Sequence, residues 1–329
     1  MIISRTPLRI SLAGGGSDIP EYYKKNKFGK VISIGINRYL YVIVKKQINI
    51  TDFKYKIRWS EYEQCNSVNE IKHPIIRETL KFFKINEAIE ISTFSDAPES
   101  SGLGSSSTFT VGLINAMLAY KNIQQTKGYI ADLAAELEIN KLKRKIGKQD
   151  HYAASYGGIN EITFNSNDTV KVEPVFYKKQ IVNTLEKNFI LIYTKIQRNA
   201  SKIIRNINFN KKNETLLNMV GQVDGFRKIF EGKSKIQNIG KLLDEGWKLK
   251  KNLSTKNISN SRIDKMYSLA KKNGATGGKI CGAGGGGFLL LYVDKKKQNK
   301  IKKIFKNFPF FDFQFDLTGS RITYYDERS

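Results

Sequence analysis

Cysteine is scarce in this chain: only two residues, Cys65 and Cys281, occur among 329. They stand far apart, with neither the spacing of a zinc site nor the density of a disulfide framework, which favours a reducing, cytoplasmic compartment. No apolar run reaches the roughly 20 residues that span a bilayer. The opening residues, MIISRTPLRISL, lack the charged start and apolar middle of a secretory signal. We therefore expect a cytoplasmic protein without a membrane partner.

Acidic residues are also few: the chain has 30 Asp and Glu residues and 56 Lys and Arg residues, which gives a formal net charge of +26. A clustered basic surface would indicate nucleic-acid binding. The lysines are instead spread along the chain in pairs and triplets, and few alternate with aromatic residues that could stack on bases. We expect no nucleic-acid partner, and a basic surface that steers small anionic substrates toward the protein.

The chain is long enough for one large domain or two medium ones, and its hydrophobic content of 40% is that of a folded protein. Helix-like and strand-like segments mix without a regular alternation, which favours an α+β fold with two lobes over a doubly wound sheet. The composition changes after about residue 165, and we place the lobes at 1–175 and 176–329. Strands are predicted at 1–12, 30–36, 39–46, 88–96 and 187–196. One more is predicted within 277–294, after a glycine-rich loop, and the final strand at 313–317. Helices are predicted at 71–83, 109–120, 126–144, 213–231, 234–252, 259–273 and 295–305.

Two common nucleotide-binding motifs are absent or out of context. The pattern G-x-x-x-x-G-K-[S/T] fails because Ile280 follows Gly278-Lys279 and Asn273 stands where the first glycine belongs. The stretch GAGGGG (282–287) satisfies G-x-G-x-x-G by letter. It precedes the apolar strand FLLLYV, however, whereas the dinucleotide motif follows a strand and opens a helix.

The stretch PESSGLGSSST (98–108) has the context of a different phosphate-binding loop. It leads directly into the helix-like segment FTVGLINAMLAY. Two glycines allow a close approach of the backbone to a ligand. The serines that follow fall at the first turn of the helix, where unpaired N–H groups and the positive end of the dipole favour anions. Taken alone, the stretch also fits a Ser/Gly turn with an ordinary helix cap.

Four motifs in order along the chain resolve this choice: PLRISLAGGGSD (7–18), PESSGLGSSST (98–108), GKQDHYAASYGG (147–158) and GGKICGAGGGGFLLLYV (277–293). The set resembles the GHMP kinase superfamily and spans nearly the whole chain; its most specific member is P-x-x-x-G-L-G-S-S. The resemblance implies a ribosomal protein S5 domain 2-like N-terminal lobe and a ferredoxin-like C-terminal lobe. It also implies ATP and Mg²⁺ as cofactors of a small-molecule kinase.

The substrate class is narrowed by the GGGSD form of the first motif, the tetrapeptide GKQD and the segments LLDEGWKLKKNLS and IDKMYSLAKKNGATGGKICGAGGGG. These are similar to kinases that act on D-glycero-D-manno-heptose 7-phosphate, and they resemble fucokinases as well. The first similarity implies phosphorylation of the anomeric C1 hydroxyl to the 1,7-bisphosphate, for nucleotide-activated heptose and surface polysaccharide synthesis. A monomer or a homodimer is expected.

The resemblance implies roles for residues that match the family motifs. Asp150 would be the general base and Arg9 the cation that neutralises charge on the reacting groups. Mg²⁺ would be held by Ser106 and by Glu138, with Glu136 left open as the alternative. ATP would be bound by Pro98, Ser100, Ser101, Gly102, Leu103, Gly104, Ser105, Ser106 and Ser107. Substrate would be bound by Arg9, Gly14, Gly15, Gly16, Ser17, Asp18, Lys148, Asp150, Arg198, Gly284 and Gly285.

Other reactive residues receive no chemistry from the sequence. His151 follows the predicted base but is given no role, His73 is predicted on the surface, and Cys281 is predicted as a small buried residue. Lys148, and Arg198 together with Ser201, are candidates for binding a phosphate on the substrate. Two alternatives stay open: a fucokinase or other sugar 1-kinase of the same superfamily, and a non-catalytic basic protein that binds nucleic acid.

Overall fold

The computed structural model describes residues 1–48, 52–198, 200–254 and 258–326. Its strands are β1 (Ile2–Ala13), β2 (Phe28–Lys46), β3 (Tyr55–Arg58), β4 (Tyr62–Cys65), β5 (Ile89–Ser95), β6 (Ile159–Asn165), β7 (Val170–Pro174), β8 (Phe189–Tyr193), β9 (Ala275–Ile280), β10 (Phe288–Val293) and β11 (Arg321–Tyr325). Its helices are α1 (Pro20–Tyr23), α2 (Pro74–Phe82), α3 (Ser105–Tyr120), α4 (Lys127–Ala135), α5 (Gln149–Tyr156), α6 (Lys179–Asn188), α7 (Ala200–Arg205), α8 (Asn213–Phe230), α9 (Asn238–Leu253), α10 (Ser261–Lys272) and α11 (Lys295–Ile304). A 3₁₀ turn (Val68–Glu70) and a π-helical turn (Glu136–Lys141) complete the set.

The larger sheet is organised around the long strand β2. β1 pairs with β2 on one side, while β6 and β5 share the other side, β6 along residues 28–34 and β5 along residues 40–46. The sheet continues outward from β5 to β3 and β4, from β6 to β7, and from β1 to β11. The last strand of the chain therefore returns to the sheet of the N-terminal half.

The smaller sheet has the strand order β8-β10-β9 and is antiparallel throughout. β9 and β10 form a hairpin whose connection is the glycine-rich stretch 281–287. Helix α9 lies very close to β9, since a Cβ placed on Gly277 would stand 1.7 Å from the carbonyl oxygen of Gly240. This contact fixes the face of α9 that is turned toward the hairpin.

Helix α3 is buried on nearly all its faces and carries the loop 98–104 at its start. Its residues from Ser107 to Ile114 and from Ala116 to Leu118 are buried, with β1 and β2 on one side and α4 and α5 on another. A helix that is apolar all round belongs in a core. The position of the loop before it is therefore fixed by the packing of both the sheet and the helices.

The structure corrects four details predicted from the sequence. The two runs 30–36 and 39–46 are one continuous strand, β2, and the helix predicted at 126–144 is α4 followed by the π-helical turn. Residues 277–280, predicted as part of a glycine-rich loop, belong to β9. The strand predicted at 313–317 is absent, and the final strand is β11.

Residues 313–317 instead fill the gap that β5 and β6 leave beside the middle of β2. The amide of Asp316 donates to the carbonyl of Gly35 at 2.8 Å, and the amide of Asn37 donates to the carbonyl of Gln314 at 2.9 Å. Only one bridge, between Ile36 and Phe315, forms there. The gap is too short for a strand, although the alternating sequence would suit one.

The two halves of the chain share their cores. One cluster joins Tyr23 and Phe164 of the N-terminal half to Trp247 and Leu289 of the C-terminal half. The boundary between residues 175 and 176 stays a prediction, and it falls between β7 and α6. Within the described ranges, no helix is both long and apolar enough to cross a membrane.

Candidate active site

A cavity of about 550 Å³ lies between the two halves and receives residues from both. This is a size typical of sites for small molecules. Its walls come from the end of β1 and the loop after it, the loop before α3, the start of α5, the segment around α7, the end of α9, and the hairpin loop after β9. The four sequence motifs thus meet at one place.

The loop before α3 presents the start of that helix to the cavity. Ser100, Gly102 and Gly104 have φ of 59°, 90° and 82°, a left-handed conformation that suits glycine best. Ser105, Ser106 and Ser107 form the first turn of α3 and line the cavity, as predicted from the sequence. The first N–H groups of a helix have no partner within the helix, and with the helix dipole they favour an anion. The wall is therefore suited to phosphate groups.

Gly102 is required by its surroundings as well as by its φ. A Cβ at this position would lie 2.6 Å from the carbonyl oxygen of Cys281 and 2.9 Å from Nη2 of Arg198. The loop before α3 is thereby held against the hairpin loop of the C-terminal half. This contact closes the cavity between the halves.

Arg9 and Asp150, the predicted catalytic pair, form a two-point ion pair at the centre of the cavity. Nε of Arg9 donates to Oδ1 of Asp150 at 2.7 Å, Nη2 donates to Oδ2 at 2.5 Å, and Nη1 donates to the carbonyl of Gly102 at 2.7 Å. Burial alone would lower the pKa of Arg9, but the charge and hydrogen bonds of Asp150 raise it. Arg9 is 3% exposed, whereas the side chain of Asp150 is 23% exposed. The carboxylate is thus held by the guanidinium and still open to a ligand.

Asp18 is fixed beside this pair by three hydrogen bonds. Its carboxylate accepts the amide of Gly16 at 2.9 Å, and the amide and Nε2 of Gln149 at 3.1 Å each. Burial, and then the charge of Asp150, raise the pKa of Asp18. Gly147 must be a glycine here, because an added Cβ would lie 1.8 Å from Oδ2 of Asp18. A rigid, buried carboxyl group beside Asp150 is suited to bind hydroxyl groups.

Glu138 is fully buried and holds a hydrogen-bond network at the cavity wall. It accepts the hydroxyls of Ser106 at 2.9 Å and Thr110 at 2.7 Å, lies 3.2 Å from Nε2 of His151, and accepts Nη1 of Arg144 at 2.7 Å. Burial alone would raise the pKa of Glu138, but His151, Arg144 and Thr110 lower it to about 2. Glu138 is therefore an anion at neutral pH.

Ser106 and Glu138 together form a set of oxygen atoms that fits Mg²⁺. The ion takes few protein ligands when phosphate oxygens and waters supply the rest, and here one carboxylate and one hydroxyl reach the cavity. The cationic side chain of Arg144 contacts both residues, since its Nη1 donates to Oγ of Ser106 at 2.7 Å as well as to Glu138. Glu136 is exposed and bonded to Asn140, away from the cavity. Among the described residues there is no cluster of three His, Cys, Asp or Glu that could hold a metal alone.

Three further basic residues line the cavity, Arg198, Lys250 and Lys279. Lys279 donates to the carbonyls of Ser11 at 2.9 Å and Leu12 at 3.0 Å, and Lys250 donates to the carbonyl of Gly282. Arg198 donates from Nη2 to the carbonyl of Cys281 at 3.3 Å, and its buried Nε and Nη1 have no partner among the residues that the structure describes. Burial lowers the pKa of Lys279 to about 8 and that of Arg198 to about 10, and burial with neighbouring cations lowers the pKa of Lys250 strongly.

A group of aromatic rings, Trp59, His73 and Phe109, lines part of the cavity. The ring centroid of His73 lies 4.7 Å from that of Trp59 and 5.0 Å from that of Phe109. Nδ1 of His73 also accepts the amide of Ile76 at 3.4 Å and caps α2. His73 is therefore half-buried in the cavity wall, and its predicted place on the surface is wrong. The proline that follows it starts the helix that the histidine caps.

The imidazole of His73 should stay neutral far below the usual pH of histidine titration. Burial, and then the charge of Arg144, lower the pKa of His73 from 6.5 to about 4. We expect its ring proton shifts in an NMR titration to stay flat from pH 8 to about pH 5. Because the unfolded chain binds this proton near pH 6.5, the contribution of His73 to stability is complete above that pH and is lost progressively between about 6.5 and 4. A ring that titrates near pH 6.5 in the folded protein would contradict this assignment.

Polar atoms without partners are concentrated at this cavity. Buried polar atoms normally have hydrogen-bond partners, so exceptions indicate a missing ligand or water. Within the described part of the chain, six such side-chain atoms belong to cavity residues: Oγ of Ser11, Ser101 and Ser105, Oε1 of Gln149, and Nε and Nη1 of Arg198. They are donors and acceptors in position for a polar ligand.

Some residues predicted for the site lie beside the cavity rather than in its wall. Lys148 bonds to Asp168 at 3.4 Å and lies over the ring of Tyr23. The others have packing or backbone roles: Pro98, Leu103, Gly14, Ser17, Gly284 and Gly285. Leu103, for example, is fully buried and its carbonyl accepts the amide of Arg9 at 3.0 Å. Their predicted ligand contacts stay predictions.

Several cavity residues were not predicted from the sequence. Gln149 lies in the wall where its neighbour Lys148 was expected, although both belong to the quoted GKQD motif. Lys250 and Lys279 also lie within segments quoted for the resemblance. Trp59 and Phe109 had no signal in the sequence, because isolated aromatic residues are as common in cores as in sites.

Known proteins with similar sequences were found for both halves. The sequence pattern of the GHMP kinases N terminal domain matches residues 69–158, and that of the GHMP kinases C terminal domain matches residues 227–309. The D-glycero-alpha-D-manno-heptose 7-phosphate kinase of Campylobacter jejuni is 34% identical over 97% of this chain and 97% of its own. A mevalonate kinase of Methanocaldococcus jannaschii is 27% identical over 72% of this chain and 73% of its own.

The fold is shared over the full length with a solved structure. The crystal structure of a D-glycero-D-manno-heptose 1-phosphate kinase from Bacteriodes thetaiotaomicron is similar with a TM-score of 0.81 and 24% identity, covering 99% of this chain and 100% of that one. At this identity the likeness concerns the fold alone. It confirms the expected α+β architecture of mixed sheets and helices.

Proposed function

The chain belongs to the GHMP kinases and is an ATP-dependent sugar kinase, and we propose that its acceptor is D-glycero-D-manno-heptose 7-phosphate, phosphorylated at the anomeric C1 hydroxyl to the 1,7-bisphosphate. The observation that carries the phosphoryl-transfer part of the proposal is the Arg9–Asp150 pair beside the start of α3. The choice of acceptor is supported by the similarity to the Campylobacter jejuni heptose 7-phosphate kinase. A carboxylate that can accept the proton of a hydroxyl lies next to a loop suited to phosphates. Phosphoryl transfer requires this combination of positioning, a proton acceptor and charge neutralisation.

The cavity gives ATP a direction. The aromatic group of Trp59, His73 and Phe109 lies at one end and offers flat faces for a base. The first turn of α3 follows, with amides for the phosphates. The γ-phosphate would then lie closest to Arg9 and Asp150. In this proposal the adenine, the phosphates and the acceptor would follow one another along the cavity.

Ser106 and Glu138 would hold Mg²⁺ beside the ATP phosphates. When bound, the ion would neutralise charge on the phosphate oxygens. Arg144 contacts both of these residues and would have to give up those contacts, and its side chain is 31% exposed, so it has room to move. Thr110 and His151 keep the orientation of the Glu138 carboxylate from the opposite side.

The acceptor would occupy the end of the cavity near Asp18. Gly15 and Gly16 bring the backbone close, and the Asp18 carboxyl binds sugar hydroxyls. Asp150 then accepts the proton of the C1 hydroxyl while the C1 oxygen forms a bond to the γ-phosphorus of ATP. The bond between the γ-phosphorus and the β–γ bridging oxygen breaks, and ADP leaves. The product would supply a nucleotide-activated heptose for surface polysaccharide.

A panel of acceptors tests the proposal. The measurement is ADP release with ATP and, in separate reactions, the heptose 7-phosphate, the phosphate-free heptose, the heptose 1-phosphate and L-fucose. We expect the 7-phosphate to have the highest kcat/KM. The 1-phosphate should be inactive, because its C1 oxygen is already esterified. Faster turnover of L-fucose would support a fucokinase instead, and turnover of the 1-phosphate would overturn transfer to C1.

A further inference from the structure

One part of the cavity wall carries more basic groups than the described acidic residues neutralise. Arg198, Lys250 and Lys279 all line it, and among the described residues none of the three has a carboxylate within salt-bridge distance. Lys250 and Lys279 are only 7% and 5% exposed. By contrast, Arg9 at the centre of the cavity is paired with Asp150. Charge on three buried basic groups without an anion is costly, and this is why burial lowers the pKa of each; a bound anion would restore the charged forms.

Two of these cations are placed at the acceptor end by their neighbours. Lys250 lies one turn before Leu253 on α9, so the two side chains share a face of the helix. Leu253 in turn reaches Gly16, since its Cδ1 would be 4.0 Å from a Cβ added there. Lys279 donates to the carbonyls of Ser11 and Leu12. These residues come directly before the loop 14–18, where the acceptor is proposed to bind.

Arg198 extends the cluster toward the centre of the cavity. It lies between the loop before α3 and the hairpin loop, since an added Cβ on Gly102 or Gly282 would stand 2.9 Å or 2.2 Å from its Nη2. In the described part of the chain, its buried Nε and Nη1 find no partner. The two groups lie on different sides of the guanidinium, so each can donate separately to an oxygen acceptor of a ligand.

We propose that Lys250, Lys279 and Arg198 form a binding site for a phosphate monoester that the acceptor carries before the reaction. The ATP phosphates have separate partners at the start of α3 and at Ser106 and Glu138. A doubly charged phosphate supplies the anion that the three cations lack and the acceptors that Arg198 needs. The inference rests on the proposed function for the direction of the acceptor in the cavity.

The site should determine specificity, and Lys250→Met tests this. Met keeps the length and apolar stem of lysine but removes its charge. We measure kcat/KM for the best phosphorylated acceptor of the panel and for its phosphate-free parent. Loss of one charge-assisted hydrogen bond should reduce the preference for the phosphorylated acceptor by about 10- to 100-fold, chiefly through its KM. The KM for ATP should stay within about 2-fold of its original value, because ATP binds through other residues.

Lys251→Met is the matched control, because it removes the neighbouring lysine of the same helix. Nζ of Lys251 is bonded to Asp264 at 3.2 Å, outside the cavity. This variant should keep the preference of the unmodified enzyme. If Lys250→Met slows both acceptors equally, or acts on the KM for ATP, the cations serve the transferred group and the proposal is wrong.

A second measurement uses the unmodified enzyme and does not depend on the folding of a variant. Inorganic phosphate should inhibit competitively against the phosphorylated acceptor and not against ATP. Competition against ATP alone would overturn the proposal. If the panel shows that a different sugar phosphate is preferred, the heptose assignment fails while the phosphate site stands. If a phosphate-free sugar is preferred, the phosphate site fails as well.

Discussion

Replacing Asp150 by Asn should lower kcat by about 10²- to 10⁴-fold, the usual effect of losing a general base. Asn has nearly the same shape and can still accept from Arg9, so the cavity should keep its form. It cannot accept the proton of the C1 hydroxyl, and it leaves the charge of Arg9 uncompensated. The measurement is single-turnover phosphoryl transfer at saturating ATP and acceptor.

Binding and stability of the Asp150→Asn variant separate chemistry from structure. We expect the Kd for ATP to change by less than about 3-fold, because the phosphate loop and the aromatic group are untouched. Asp168→Asn is the matched control: its carboxylate binds Lys24 at 2.6 Å and Lys148 at 3.4 Å outside the cavity. Turnover of Asp150→Asn close to that of the control would remove Asp150 from the role of base.

The conformation of the loop before α3 and the place of its serines could be predicted from the sequence, because both depend on local rules. Two glycines followed by serines at a helix start predict a left-handed loop and a helix N-terminus suited to anions. This prediction requires no knowledge of distant contacts. The Arg9–Asp150 pair, in contrast, joins residues 141 positions apart. Its prediction came from the family resemblance, and its geometry came only from the structure.

The cationic wall could not be predicted for a different reason. Lys250 and Lys279 look like two of many lysines in a basic chain, and lysine is nearly always exposed unless it is paired. Their burial follows from the packing of α9 against β9, where Gly240 and Gly277 permit close contact. Similarly, the segment 313–317 has the pattern of a strand, but the gap beside β2 admits only one bridge. Tertiary contacts decide both cases.

Replacing Glu138 by Gln should weaken Mg²⁺-dependent binding of ATP by at least about 10- to 100-fold. The amide keeps the size of the side chain and still accepts from Thr110. It removes the negative charge that attracts the ion, and its NH₂ group would face donors of Arg144 or His151. The measurement is calorimetric titration of ATP with and without Mg²⁺; the difference between the two affinities should shrink in the variant.

Glu136→Gln is the control that separates a metal ligand from a nearby charge. Glu136 lies two residues away but is exposed and bonded to Asn140, so its variant should bind MgATP normally. If instead Glu136→Gln loses the Mg²⁺ dependence and Glu138→Gln keeps it, the assignment of Glu138 is wrong.

The acid stability of the same variant gives an independent test of the Glu138 network. The pKa of Glu138 is about 2 in the folded protein against 4.5 ordinarily, so the folded state binds this proton less readily than the unfolded state. Its contribution to stability is therefore complete above about pH 4.5 and is lost as the pH falls toward 2. Glu138→Gln should lower the melting temperature at pH 7, and it should flatten the fall of stability between these two pH values. A variant whose acid unfolding curve parallels that of the unmodified protein would show that Arg144 and His151 do not hold Glu138 as a buried anion.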